Sequence, residues 1–358
     1  MNSVSIALAT YNGEAFLLEL LRSLARQTYP ISELVVTDDG STDETLNLIS
    51  AFSAVAPFPI RIERNDERLG FRANFMKAAG LCKSDLIAFC DQDDVWHPDK
   101  IRAAVEFFDD PDVIFVHHNA NVVNAQGIKI GSLHQEGQFI PTMSPNSSDP
   151  WMISHGFTQM FRRSLTEFSD LWANSVDPDR PNSQMAHDQW YFFLAATLGI
   201  VRHVDIPLAD YRQHGQNSAG WNKEYNILNR MKLWFENRCD VYSRCSMAAD
   251  RRVSILHEVA LKLEGCYRDR AGAAEKLYKL LADLYRLRVD VYRQPKIKDR
   301  LKRFKRLLDS NAYDRSGHYT FTRKGMIKDL TLGVLLGPLV GTYGLRPTGG
   351  DSTCRRGS

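Results

Sequence analysis

The chain lacks the features that define several large classes of protein. None of its apolar runs is uninterrupted for the roughly 20 residues that a membrane-spanning helix needs. Its six cysteines are scattered, without the paired spacing of a metal site, which is typical of reduced thiols in a cytosolic protein. The first residues lead straight into a strand-like run without the basic start of a secretory signal, so we expect a cytoplasmic location.

Signatures of nucleic-acid-binding proteins are missing as well. The sequence has no zinc-finger spacing, no RNP-like segment and no helix-turn-helix pattern, and it contains no internal repeat. We therefore expect no nucleic acid among its partners. Its 358 residues are enough for two domains.

The charge changes sign along the chain. The net charge of +2 combines an acidic part, residues 1–222, with 16 Lys and Arg against 28 Asp and Glu, and a basic part, residues 223–346, with 27 against 14. Such a break marks a change of domain. We predict a first domain at 1–222, a basic helical extension at 223–346 and a flexible tail at 347–358.

Strand and helix patterns alternate through the first domain. One of the helix patterns is Glu14–Gln27, which has four leucines and Phe16 on one face. Strand-like apolar runs occur at 4–9, 33–37, 60–64, 85–89 and 113–117. The alternation predicts an α/β fold whose sheet is mainly parallel and flanked by helices. Residues 118–150 and 211–220 are rich in turn-forming or polar residues, and we interpret them as loops.

Polar and mostly acidic residues follow three of these strands, at 10–12, 38–39 and 91–94. The carboxyl ends of parallel strands meet at one edge of a sheet, where ligands bind. Asp91, Asp93 and Asp94 repel one another unless water or a divalent cation neutralises them, so a cation bound to a phosphorylated substrate is one interpretation. The other is a strand-to-helix turn in which an aspartate caps the helix.

Five motifs occur in a recognisable order. They are Ser5–Gly13, Val35–Asp43, Asp91–Asp94, His187–Trp190 and Tyr211–Gly215. The first three resemble the family 2 glycosyltransferases, and the last two resemble the bacterial rhamnosyltransferase-like branch. The resemblance covers about residues 3–220. It implies a GT-A catalytic domain that transfers a sugar, with inversion, from a nucleotide-diphosphate donor.

The resemblance assigns donor contacts to six residues. Asp39 would accept hydrogen bonds from the base or ribose, and Arg72 would pair with the diphosphate. The alternatives are a turn with Asx hydrogen bonds for Asp39 and a surface role for Arg72. The full predicted set is Thr10, Tyr11, Glu14, Asp39, Arg72 and Asp93.

The resemblance also implies a metal ion, Mg²⁺ or Mn²⁺, at the DxD-type motif. Asp91, Asp94 and His214 are the predicted ligands, because hard cations take oxygen ligands and Mn²⁺ also accepts imidazole. Which of the three aspartates binds directly stays open. A structural or solvent-exposed role is the alternative for His214.

Asp188 is the predicted catalytic base, at the start of an aromatic-rich helix whose dipole favours the ionised carboxylate. A helix-capping role is the alternative. Trp151, His155 and Trp190 are candidates for the acceptor pocket, since sugars stack on aromatic faces. For either tryptophan a buried core position is the alternative.

The basic half has two apolar-rich segments. Lys296–Leu308 has the pattern of a basic amphipathic helix, which suits an anionic membrane surface or packing against the acidic domain. Residues 330–345 are apolar but broken by glycines and a proline, so they suit interfacial attachment or burial. We expect a protein that is peripheral on the inner face of the cell membrane.

The sequence as a whole favours a transferase of surface-polysaccharide biosynthesis. The expected donor sugar is rhamnose or a related hexose, and the expected acceptor is a saccharide or a polyprenyl-linked saccharide. A sugar nucleotidyltransferase would have a glycine-rich, arginine-containing loop after the first strand, where this chain has Ala9–Gly13. A non-catalytic scaffold on the same fold would have lost the carboxylates.

Overall fold

A computed structural model describes residues 1–135, 137–138, 140–215, 238–314 and 319–337. The chain divides into two compact units. The first comprises Met1–Ser148, Met152–Trp172 and Met185–Trp221, and the second comprises Asp149–Trp151, Ala173–Gln184 and Asn222–Ser358.

The first unit is built on a ten-stranded sheet. Its strands are β1 Val4–Thr10, β2 Glu33–Asp38, β3 Ile60–Arg64, β4 Leu86–Cys90, β5 Val95–Trp96, β6 Val113–Asn124, β7 Lys129–Ser132, β8 Thr142–Met143, β9 Gln159–Arg162 and β10 Ile200–Gln213. The order is β3-β2-β1-β4-β9-β6-β10-β5, with β7 paired to β6 and β8 to β10. Strands β3, β2, β1 and β4 are parallel, as are β6 and β10, while β9 joins the two groups antiparallel to both.

Helices flank this sheet, which confirms the predicted fold class. They are α1 Glu14–Ala25, α2 Thr45–Ser53, α3 Gly70–Leu81, α4 Lys100–Val105 and α5 His187–Leu198. Three 3₁₀ segments lie at Glu106–Asp109, Gly156–Thr158 and Arg163–Asn174. Every residue of β4 is buried, because apolar side chains from both faces of a central strand are covered.

Two loop predictions are wrong in part. Residues 118–124 continue strand β6, and β7 and β8 occupy parts of the remaining passage to residue 150. Tyr211–Gln213 end strand β10, so only His214 and Gly215 follow the strand among the described residues of that motif; residues 216–220 lie outside the described part. These polar segments form strands because they pair with neighbouring strands of the sheet, and the local sequence does not show that pairing.

The second unit is helical. Its described helices are α6 Arg238–Lys262, α7 Gly265–Arg293, α8 Ile297–Asp309, α9 Arg323–Lys328 and a π-helical segment Asp329–Leu336. None of the helices in the described residues is long and apolar enough to cross a membrane. Residues 223–237 and 338–346 of the predicted extension, and the predicted tail, lie outside the described residues.

A buried carboxylate holds the end of this unit to its long helices. Asp329 is fully buried and accepts two hydrogen bonds from Arg288, at 2.8 and 3.1 Å. The hydroxyls of Tyr242, Tyr292 and Tyr313 donate to the same carboxylate. The charge of Asp329 is therefore paired and hydrogen-bonded, as a buried charge must be.

Candidate active site

The parallel strands bring two polar ends side by side. Thr10 at the end of β1 is in register with Asp38 at the end of β2, and its hydroxyl donates to Asp38 Oδ2 at 2.8 Å. Asp38 also accepts hydrogen bonds from the backbone of Gly40 and Ser41. Asp38 therefore forms the turn after β2, and Gly40 takes the positive φ of 85° that this turn requires.

Asp39 points to the start of α3. Its carboxylate accepts hydrogen bonds from the backbone N–H groups of Leu69 and Gly70, at 2.6 and 2.8 Å, and from Asn65 Nδ2 at 3.0 Å. The helix N-terminus and the amide stabilise its negative charge. Asp39 also lines a cavity of about 480 Å³ with Tyr11, Gly40, Arg64, Asn65, Asp66, Glu67 and Arg68.

Tyr11 forms one wall of this cavity. The guanidinium of Arg68 lies over its ring, 3.9 Å from the ring centre. Its backbone is fixed by the side-chain amide of Gln92, which accepts from the Tyr11 N–H at 3.0 Å and donates to the Tyr11 carbonyl at 3.1 Å. A side chain at Gly13 would collide with Gln92. Gln92 thus joins the cavity to the acidic loop, residues 91–94, which follows β4.

The acidic loop follows β4 and concentrates negative charge. Burial and the carboxylates of Asp93 and Asp188 raise the pKa of Asp91 to about 8. Burial and the carboxylates of Asp93 and Asp91 raise the pKa of Asp94 well above its ordinary value. Because Asp91 responds to the charge of Asp188, residues nearly 100 positions apart in sequence lie in one electrostatic site.

Arg212 and His214, near the end of β10, hold this loop from the other side. The Arg212 backbone N–H donates to Asp94 Oδ1 at 3.1 Å, and Arg212 Nε donates to the Asp93 carbonyl at 3.0 Å. His214 Nε2 lies 2.8 Å from Asp93 Oδ2. The structure therefore brings the predicted residues Asp93, Asp94 and His214 together.

Asp188 lies in the first turn of α5, and its Oδ1 accepts the backbone N–H of Gln189 at 2.8 Å. The preceding residue, His187, is buried and stacks on Phe75 with ring centres 4.0 Å apart. Burial and the charge of Arg72 lower the pKa of His187 to about 3, so its imidazole is neutral. The charge of Arg72 on α3 thus acts on His187, the residue before Asp188 on α5.

The remaining predicted residues lie in other surroundings. Glu14 is exposed and accepts the backbone N–H of Glu44 at 2.9 Å, at the start of α2. Trp190 is completely buried, which is the core position that the sequence left open. Trp151 belongs to the second unit, where its Nε1 donates to the Tyr285 hydroxyl at 2.9 Å. His155 is half-buried, with its ring centre 5.9 Å from that of Tyr211.

The acidic loop suits a divalent cation. Asp94 is fully buried, and among the described residues its Oδ2 has no hydrogen-bond partner. Within the described part of the chain, no three His, Cys, Asp or Glu side chains are arranged to hold a metal by themselves. Mg²⁺ in phosphoryl sites is commonly bound by one or two carboxylates together with substrate phosphates, so an incomplete protein shell fits this cation.

Sequence reasoning missed four residues of this region: Arg68, Gln92, Lys100 and Arg212. Gln92 and Arg212 stand inside motifs that were recognised, so their positions were a signal. Lys100 is buried, its Nζ donates to the Phe157 carbonyl at 2.6 Å and lies 3.5 Å from the Trp96 ring centre, and burial lowers its pKa to about 7. Nothing in the local sequence distinguishes it from a surface lysine.

Residues 5–168 match the family model of glycosyl transferase family 2. The matched stretch is 164 of the 358 residues, so the chain is similar to this family over a little under half of its length. The chain is 28% identical over 223 residues to an uncharacterized glycosyltransferase of Nostoc, a match that covers 60% of this chain and 66% of that one. It is 29% identical to the dTDP-rhamnosyl transferase RfbG of Shigella flexneri, over 60% of this chain and 74% of RfbG.

The fold of this chain is also that of a solved structure. TarS of S. aureus, residues 1–349 in complex with UDP-GlcNAc, superposes with a TM-score of 0.51 at 18% identity, covering 86% of this chain and 80% of TarS. The GT-A fold is therefore shown. The match to the Nostoc relative spans just under two thirds of that protein's length.

Proposed function

We propose that the protein is an inverting, metal-dependent glycosyltransferase of surface-polysaccharide biosynthesis. It moves a sugar from a nucleotide-diphosphate donor to a saccharide or a polyprenyl-linked saccharide. The observation that carries this proposal is the group of acidic side chains held by Arg212 and His214 after β4, next to a cavity joined to it through Gln92. To this region we assign three tasks of a transferase, which are donor binding, charge neutralisation and proton acceptance.

The donor nucleotide enters the cavity between Tyr11 and Asp39. The Tyr11 ring offers a face for stacking, and the Asp39 carboxylate accepts hydrogen bonds. Arg68 rests on that ring and provides a further planar cation for the base or a phosphate. The names of RfbG and of the TarS complex support a nucleoside diphosphate donor, and we propose rhamnose or a related hexose as the sugar.

Mg²⁺ or Mn²⁺ would be held by Asp94 and by His214 or Asp93, and would neutralise charge on the departing diphosphate. Arg72, whose charge acts on His187 at the start of α5, adds a guanidinium for the diphosphate. Arg212 keeps Asp93 and Asp94 in place through its backbone and side chain. The pKa of Asp91 is raised, and a positive charge that approaches the loop favours its ionised form.

Asp188 takes the proton from the attacking acceptor hydroxyl. Its carboxylate stands in the first turn of α5, where the helix N-terminus stabilises the ionised form. One base and a leaving diphosphate on the opposite face of the sugar give inversion. We also propose that the protein meets anionic lipid at the membrane, where a polyprenyl-linked acceptor is found.

A thermal-shift panel tests the donor proposal. Nucleoside diphosphates and nucleotide sugars, with and without Mn²⁺, should raise the melting temperature, because ligands that bind only the folded state stabilise it. Asp39→Asn should reduce the shift, whereas Glu167→Gln, at an exposed carboxylate of the same unit, should keep it. The proposal fails if no nucleoside diphosphate or nucleotide sugar shifts the wild-type protein in the presence of Mn²⁺.

A further inference from the structure

Helix α8 of the second unit has apolar side chains on its exposed side. Ile297, Leu301 and Leu308 are 46%, 47% and 43% exposed. At about 100° per residue, the three positions fall within about 40° of one another around the helix axis. They form one stripe along the helix, whereas exposed apolar residues on a soluble surface are usually scattered singly.

Lysines flank this stripe on the side away from the protein. Lys298, Lys302 and Lys305 are exposed, and by the same rotation they lie about 40° to 100° beyond Leu301 around the helix. The opposite side of the helix is packed, since Phe304, Leu307 and Arg300 are buried. The helix therefore has a packed side, an apolar stripe and a row of lysines in that order, and Asp309 lies in the sector of the lysines at the end of the helix.

A second segment with exposed apolar side chains packs against this helix. The buried Arg300 donates from Nε to the carbonyl of Val334 at 2.7 Å, and so ties α8 to the segment that ends at Leu336. Gly337, which follows, has a positive φ of 44° and lies against the Arg300 side chain. The exposed apolar residues of this segment and of α9 before it are Ile327, Leu330, Leu335 and Leu336.

We propose that α8 is a membrane-docking face that lies in the interface of an anionic lipid bilayer. The face consists of Ile297, Lys298, Leu301, Lys302, Lys305 and Leu308. The apolar stripe enters the boundary between headgroups and acyl chains, and the lysine stems extend along it so that the ammonium groups meet lipid phosphates. This inference names the surface for the membrane contact in the proposed function, and it does not depend on sugar transfer.

Two other occupants fit the observations less well. A nucleic acid would use the lysines but has no use for the apolar stripe between them and the packed side. A second copy of the same face would bring two rows of lysines together, which costs free energy through like-charge repulsion. An anionic bilayer satisfies both parts of the face.

Vesicle flotation with the full chain tests the proposal. The probes are vesicles of phosphatidylcholine alone and of phosphatidylcholine mixed with phosphatidylglycerol, without any sugar substrate. The wild type should float with the anionic vesicles only. Replacing Lys298, Lys302 and Lys305 together by Gln should lower the partition coefficient about 100-fold, because each lysine near an anionic surface strengthens binding about fivefold.

The apolar stripe is tested separately. Leu301→Gln with Leu308→Gln should lower partitioning about tenfold or more, because two leucines lose their transfer into the interface. Matched controls lie on other helices of the same unit. They are Leu261→Gln, at a side chain 65% exposed, and Lys276→Gln with Lys279→Gln, at exposed positions. The controls should float like the wild type.

Several results would overturn the proposal. The proposal is wrong if the wild type does not float with anionic vesicles, or if the control variants lose as much flotation as the lysine or leucine variants. It is also wrong if the leucine variant floats fully, or if a DNA or RNA duplex binds the protein in competition with vesicles. A concentration-dependent dimer that the lysine or leucine variants abolish would assign the face to a second copy instead. Asp188→Asn should float normally, so a failure of membrane docking remains distinct from a failure of the transferase proposal.

Discussion

The side chain of Arg212 ties the acidic loop to two further segments. Besides its bonds to the loop, Nη1 donates to the Ala125 carbonyl at 3.0 Å and Nη2 donates to Glu19 at 2.6 Å. The guanidinium also lies 4.8 Å from the Phe16 ring centre. Lysine has neither the planar fork nor the same number of donors, so a conservative exchange removes most of these contacts.

We therefore expect Arg212→Lys to weaken metal binding more than nucleotide binding. The Mn²⁺ concentration for half-maximal transfer should rise about tenfold or more, since residues that position metal ligands carry effects of this size. Arg202→Lys, on the same strand β10, is the matched control and should leave it unchanged. Equal metal dependence in Arg212→Lys and wild type would show that Arg212 has only a structural role.

Asp188 gives the second prediction at this scale. Asp188→Asn should lower kcat by at least about 100-fold, because the amide accepts no proton from the acceptor hydroxyl. Donor binding, measured by thermal shift, should stay intact. Glu167→Gln serves as the control carboxylate, and near-normal turnover in Asp188→Asn would remove the assigned role.

Among the elements, the short pairing of β5 with β10 frames the acidic loop. His97 follows β5, and its Nε2 lies 2.9 Å from Asp210 Oδ1 on β10. The hydrogen bond to Asp210 raises the pKa of His97. Burial alone would raise the pKa of Asp210, but hydrogen bonds from His97 and Asn121 outweigh it and the pKa falls below the ordinary value. The pair holds the two strands together when both partners are charged.

This pair makes stability depend on pH in a defined window. The raised pKa of His97 contributes stability that is complete below about 6.5 and lost as pH rises through the folded-state value. The lowered pKa of Asp210 contributes stability above about 3.9 that is lost in acid. The melting temperature of His97→Gln should therefore fall less steeply than that of the wild type between pH 6 and 8.5. An unchanged slope in His97→Gln would contradict the assignment.

At the scale of the whole molecule, the two compact units carry different tasks in our proposals. The sheet unit binds the donor and transfers the sugar, and the helical unit meets lipid. The buried pair of Arg288 and Asp329 belongs to the helical unit alone. Its loss should therefore separate the two tasks.

We expect Asp329→Asn to destabilise the helical unit by about 3 kcal/mol, because it leaves Arg288 as a buried cation without its partner. Membrane partitioning should fall while the nucleotide-induced thermal shift of the sheet unit remains. Asp283→Asn, which removes an exposed partner of Arg286, is the control and should cost less than about 1 kcal/mol. Loss of nucleotide binding in Asp329→Asn would show that the units do not divide the work.

The sequence by itself determined the α/β class, the resemblance to family 2 glycosyltransferases and the edge of the sheet that holds Asp39, Asp91 and Asp94. These follow from periodicity within short segments and from motifs placed directly after strands, and both are local properties of the chain. Helix and strand positions were accordingly close to those observed, except where polar strands such as residues 118–124 gain their stability from neighbouring strands.

Only the tertiary structure decided how the site is assembled. Arg212 reaches Asp94 across 118 residues of sequence, Gln92 pairs with the Tyr11 backbone across 81, and Trp190 enters the core instead of an open pocket. Such contacts depend on which elements become neighbours in the packed sheet and on how side chains fill the space between them. Neither is encoded in the spacing of any one segment, because burial and pairing are properties of the whole fold.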